Sequence, residues 1–195
     1  MIAAIEDAII TRIVAAAAAT PGLGYKLNKI ASYGGELDEE LTRVVPSFPA
    51  IWVTFGGIKS STKMNTSGTK WKTSATFVTL AGSRNMRGER STRHGTKVAG
   101  VLKEVGTYQM LKDVCTMVLG SDLGLAITKL EPGSVRTLRH QKGISVLARE
   151  WHTTFVESVP REVFDPSHGD FLKLGIDYYL QPDDGVADAS AVITL

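Results

Sequence analysis

Apolar residues recur along this chain with two different periods, and the changes of period mark its elements. Ile2, Ile5, Ile9 and Ile13 stand three or four residues apart, Ile10 and Val14 widen the stripe, and Glu6, Asp7 and Arg12 lie off it. That spacing predicts an amphipathic first helix. Its acids come early, where the helix dipole favours them, and an alanine run over 15–19 leads to a stop at Thr20-Pro21-Gly22. A short extended piece over 25–33 follows. Leu37, Leu41, Val44 and Val45 then predict a small helix over 37–45, entered through Glu36, Asp38, Glu39 and Glu40.

Period two takes over after Pro46 and Pro49. The β-branched and aromatic run 50–55 and the Thr-, Phe- and Val-rich run 71–80 read as buried strands. Between them, 56–70 is polar, contains Lys59, Lys63 and Lys70 and no acid, and reads as a loop. If the two strands pair as an antiparallel hairpin, this lysine loop lies at one end and a second loop, 84–95, begins at the other. Val98, Val101, Val105, Tyr108, Leu111, Cys115 and Val118 return to helical spacing. They predict a helix over 107–119 whose first half extends back to 96, although Gly100 and Gly106 weaken that half.

Beyond Gly120, 123–130 reads as a linker with a short strand. The turn Gln141-Lys142-Gly143 joins strands over 135–140 and 144–156, and 172–180 alternates as a half-buried strand. The expectation is an α+β fold, a mostly antiparallel mixed sheet with helices packed on it, in one domain over 1–180. Residues 181–195 read as an acidic, flexible C-terminal tail or arm, whose apolar last residues could add a strand to a neighbouring subunit.

A chain of 195 residues can bury roughly 70% of its unfolded surface, so a substantial core is expected. Its net charge of +2 makes the whole molecule no obvious polyanion binder. Locally the balance differs: Arg84, Arg87, Arg90, Arg93 and Lys97 face one acid, Glu89, a net +4. Arginine forks suit phosphates and carboxylates, so this loop could meet DNA or an acidic patch on another subunit. It has no interleaved aromatics for base stacking, which argues against single-strand or sequence-specific recognition. Its blander reading is a solvated loop. The acids Glu36 and Glu39 offer the complementary charge.

Cys115 stands alone, which excludes an internal disulfide and a multi-cysteine metal site and fits a reducing cytoplasm. The N-terminus carries acids where a signal peptide carries bases, and no run reaches the roughly 20 apolar residues that span a bilayer, so an unexported protein free of membrane is expected. None of the four histidines stands at ligand spacing from another. Glu150, His152 and Asp170 could in principle serve a metal-dependent DNA-acting enzyme; otherwise they are one face of a strand and a turn. The glycine pairs 34–35 and 56–57 lack the residues of a phosphate-binding loop. No catalytic residue, cofactor or metal is expected.

Five segments carry a more specific signal: Ile-Ala-Ser-Tyr-Gly-Gly-Glu-Leu (30–37), Phe-Pro-Ala-Ile-Trp-Val-Thr-Phe (48–55), Arg-Asn-Met-Arg-Gly-Glu-Arg (84–90), Gly-Thr-Tyr-Gln (106–109) and Glu-Trp-His-Thr (150–153). In combination they resemble the Mu-like phage and prophage proteins encoded just upstream of the contractile tail sheath, the tail terminator or neck family. The resemblance covers roughly 1–180. It implies a tail-terminator-like domain in a structural virion protein. That protein would form a homohexameric ring, cap the tail tube, end its polymerisation and offer a surface for head attachment.

Its partners would be further copies of itself, tail tube and sheath proteins and head-side neck or connector proteins, with genomic DNA passing without sequence readout. Its place would be the virion, and the host cytoplasm during assembly. A head-side connector of the same particle is the alternative. Arg84, Arg87, Arg90, Arg93, Glu36 and Glu39 are the interface candidates; the resemblance itself supplies no catalytic residues.

Overall fold

In a computed structural model the chain is described over residues 1–20, 22–37, 45–141, 143–159, 173–178 and 189–194. These residues belong to two compact units, Met1–Ser158 and Val159–Leu195. The boundary expected between 180 and 181 lies outside the described residues.

The isoleucine stripe does what its spacing predicts. Helix α1 runs Ile2–Ala18 with Ile5, Ile9 and Ile13 wholly buried. It lies against a five-stranded sheet of order β1-β2-β3-β7-β6. The strands are β1 (Lys29–Ser32), β2 (Ala50–Lys63), β3 (Lys70–Arg84), β6 (Glu131–Gln141) and β7 (Ile144–Ser158). Only the β1–β2 pair is parallel; the other three are antiparallel. The fold is therefore α+β with a mixed, mostly antiparallel sheet, and Pro132 sits, as a strand proline must, on an edge.

Alternation along the central strands sends side chains to two cores. Phe77 and Ala81 of β3 and Leu147, Trp151 and Phe155 of β7 join Ile51 and Val53 beneath α1 and the later helix α3 (Thr107–Val118). Leu80, Ile144, Val146 and Ala148 point the other way and meet Trp52, Phe48 and Leu37. Phe48 and Trp52 pack edge to face at 5.9 Å. Trp151 keeps its indole donor satisfied inside the first core by donating to Thr79 Oγ1 at 3.0 Å. α3 buries Met110, Leu111, Val114 and Val118. Its Asp113 accepts a 2.8 Å hydrogen bond from the Tyr25 hydroxyl, which burial and this carboxylate together hold protonated well above the ordinary tyrosine range.

Three expectations need correction. The lysine loop is mostly strand: β2 and β3 continue to Lys63 and Lys70, leaving only 64–69 as the turn. Residues 58–63 are all exposed, so no hydrophobic alternation announces them, yet Ser60, Ser61 and Thr62 pair in register with Ser74, Thr73 and Lys72.

The helix does not extend back to 96. Residues 96–104 form a hairpin of β4 (Thr96–Val98) and β5 (Val101–Glu104), turned by Ala99 and Gly100 at φ 50° and 80°. Val98 and Val101, expected on a buried helical face, are 49% and 60% exposed. Third, Tyr108 is also exposed, so the buried stripe of α3 passes beside it.

The small helix expected over 37–45 lies almost wholly outside the described residues; Val45–Ser47 form one 3₁₀ turn. The linker 123–130 contributes a single bridge from Ile127 to Phe155. In the second unit, β8 (Lys173–Tyr178) and β9 (Ala189–Thr194) pair antiparallel as a two-stranded sheet.

Truncation of the α1 stripe tests this packing. Ile9→Ala should lower unfolding free energy by about 2–5 kcal/mol in urea titration. Thr11→Ala, on the exposed side, should leave it within roughly 0.5 kcal/mol.

Candidate functional site

The arginine loop begins where β3 runs out, at Arg84, and its first half is not free chain. Asn85, only 3% exposed, holds it by hydrogen bonds from both its backbone and its side chain. Its backbone N–H donates to Gly143 O at 2.8 Å, and its side-chain carbonyl accepts the Arg87 N–H at 2.8 Å. Its amide nitrogen donates to Thr96 Oγ1 at 2.9 Å and to Glu104 Oε2 at 2.6 Å, two residues that face each other across the β4–β5 hairpin. One buried amide thus joins the end of β3, the β6–β7 turn and the foot of that hairpin.

The second half is a short helix, α2 (Glu89–His94), where the sequence reads as loop. It buries Thr92, whose hydroxyl reaches Gly88 O at 3.0 Å and whose carbonyl accepts from Ser83 Oγ at 2.7 Å. His94 meets Tyr108 of α3 edge to face at 5.1 Å, and Gly95 turns the chain at φ 77°. Gly106 is pressed so closely against this turn that a Cβ there would stand 2.2 Å from Arg93 O. At Gly143 a Cβ would meet Asn85 O at 2.5 Å.

On this frame Arg84, Arg87 and Arg90 are exposed and Arg93 is half-buried. Met86, between the first two, is 86% exposed. The result is a cationic turn with an apolar tip, held by buried polar bonds. That placement reduces the ordering cost an arginine cluster meets on binding an anionic surface.

The acidic candidates are placed differently. Glu36 accepts from Lys29 Nζ and from Gly34 N–H, both at 2.8 Å. Its partial burial opposes ionisation, but the hydrogen bonds and the lysine charge outweigh it and hold its pKa below the usual glutamate range. Glu36 is therefore engaged within its own chain. Glu39 lies outside the described residues. The four arginines lie within one short stretch of chain, and Glu36 is paired with Lys29.

Glu150 and His152 share one face of β7, and each is tied to a neighbour. Glu150 accepts from Arg136, and a hydrogen bond from Ser134 is the main reason its carboxyl stays below the ordinary range. His152 Nδ1 stands 3.0 Å from Thr76 Oγ1. With Lys59, Lys72, Ser74 and Glu131, His152 lines a groove of about 410 Å³. Asp170 lies outside the described residues. Among the described residues no three His, Cys, Asp or Glu side chains converge as metal ligands, and no helix is long and apolar enough to cross a membrane.

Sequence reading singled out the segments containing Asn85 and Gly106 but assigned neither them nor Thr92 the role of holding the turn. The available signal was weak: polar residues of ordinary type inside a charged run, and a glycine in a segment with helical periodicity.

Two outcomes follow from the frame. Asn85→Ala should lower stability by about 1–3 kcal/mol, because Glu104 and the Arg87 amide lose their partner; denaturant unfolding measures it. For Glu36, a folded-state pKa below the unfolded value stabilises above the ordinary glutamate range near 4.5, and this contribution disappears as pH falls through the depressed value. Glu36→Gln should therefore flatten the stability-against-pH curve below about pH 4.5, leaving the slope above it unchanged.

Among families of known proteins, the one described as Bacteriophage Mu, Gp37 matches residues 1–156. No curated protein matches the chain. The matched span takes in both sheet cores, the whole arginine turn and all of the five segments singled out in the sequence. With most of its length matched, the chain belongs to the bacteriophage Mu Gp37 family.

Proposed function

We propose that this protein is a structural component of the virion that caps the tail tube as a ring, ends tail polymerisation and offers a head-attachment surface. Membership of a Mu family over 1–156 carries this reading, because that span contains every segment resembling tail terminators. The arginine turn supplies a surface suited to such work. It is exposed, cationic and apolar-tipped, and buried bonds at Asn85 and Thr92 fix it in place. Head-to-tail contacts between unlike surfaces close into rings when the rotation allows. Self-assembly, tube and sheath contacts and a position in the tail or neck belong to this reading. Any contact of the arginines with passing DNA would be phosphate-directed and would weaken steeply with salt.

The enzymatic alternative would use Glu150 and His152, neighbours on β7, and Glu150 is already paired with Arg136. Duplex DNA incubated with the protein and divalent metal should stay uncut.

A phage lacking this protein should assemble tails longer than normal. Tails of normal length that fail to join heads would point instead to a head-side connector. Arg87→Glu combined with Arg90→Glu should impair ring formation or docking with an unchanged circular dichroism spectrum. Full infectivity of that variant would remove the turn from the account.

A further inference from the structure

One edge of the main sheet is open over most of its length. β1 covers β2 only from Ala50 to Val53, so from Thr54 to Lys63 the outer side of β2 has no strand partner among the described residues. Ten residues of strand present about 33 Å of backbone N–H and C=O groups. Such an edge invites pairing unless it is blocked. This one carries bulges near Gly56 and Lys59, and Lys59 and Lys63 are exposed beside it. Those features disfavour pairing with another copy of the same edge. They leave it open to a neutral or acidic strand.

The second unit has the complementary character. Residues 159–195 contain two basic and seven acidic residues, a net −5. The other twenty basic and thirteen acidic residues give Met1–Ser158 a net +7. The near-neutral whole thus conceals two oppositely charged parts. β8 and β9 pair only with each other, six residues on each strand, and an isolated two-stranded sheet of that size is marginal in water. Each has one edge without a strand partner among the described residues. The sequence of β9, Ala-Ser-Ala-Val-Ile-Thr, carries no charge and follows Asp188. β8 and β9 form a two-stranded sheet of their own.

From this we infer that the open edge of β2, Thr54–Lys63, is the acceptor for β9 of a second copy. The incoming strand brings its acidic approach beside Lys59 and Lys63 and extends the five-stranded sheet. The inference rests on the ring reading and names one of its contacts. Backbone hydrogen bonds supply affinity, as in other strand additions, and the +7 and −5 parts set direction: the second unit of one copy on the first unit of the next. A contact between unlike surfaces of this kind propagates around a ring.

The test uses full-length protein with Cys115→Ser, purified as two differently tagged forms. One form carries Ser60→Cys or, in a parallel sample, Thr62→Cys, so that a shift of register does not decide the outcome. The other carries Ser190→Cys. After mixing and mild oxidation, mass on denaturing gels reports cross-links, and light scattering reports the assembly. A disulfide joining the two tags, lost when Lys59→Glu and Lys63→Glu are added, is expected. Rings without an intertag link would overturn strand exchange and leave the ring reading standing. A monomer without that link would count against both. A single protein carrying Thr62→Cys and Ser190→Cys that links only within its own chain would show the edge closed by its own strand, and would also overturn the inference.

Discussion

The structure depends on the ladder between β3 and β7. Fifteen consecutive residues of each strand pair antiparallel without a register shift, from Lys70 opposite Ser158 to Arg84 opposite Ile144. A slip of one residue would send Phe77, Trp151 and Phe155 to the other face and empty both cores at once. Burial on both sides therefore fixes this register. Because the pairing runs to both ends of the strands, it also fixes where the charged ends lie. Arg84 emerges at one end into the Asn85 frame, and the β2–β3 turn, flanked by Lys63 and Lys70, stands at the other.

The site grows out of this constraint. β3 ends at Arg84, and the β6–β7 turn brings Gly143 against Asn85 because Ile144 is already opposite Arg84. The β4–β5 hairpin completes the frame through Thr96 and Glu104. An exposed arginine cluster is thus built on groups that are almost wholly buried, and the stability of the turn and the direction of its charges come from different residues.

Much of the scaffold was legible because burial writes a period into sequence. The stripe of α1 and the runs of β3 and β7 carry apolar residues at positions that the cores require, and the turn between β6 and β7 is marked by Gln141-Lys142-Gly143. Where burial is one-sided or absent, the signal fails. Residues 59–63 are strand through backbone pairing and side-chain contacts across it, such as Ser61 with Thr73, and their hydroxyl and lysine side chains are ones any loop could carry. Residues 98, 101 and 105 have helical spacing by coincidence, and the positive φ of Ala99 and Gly100 decides for a hairpin. The arginines of the turn were legible from charge alone; Asn85 was not, since a single buried amide leaves no periodic trace. Glu36 was legible as an acid but not as one already paired with Lys29. The acidity of the C-terminal arm was legible in the sequence, and the unit boundary extends it back to Val159.

The family match identifies a bacteriophage protein, and its proposed assembly at the end of the tail tube is open to direct test. The most direct measurement is electron microscopy of virions carrying a labelled copy of this protein. The account predicts a single ring of label at the head-proximal end of the tail tube. Label spread along the tail shaft, confined to its distal end, or absent from the particle would contradict it.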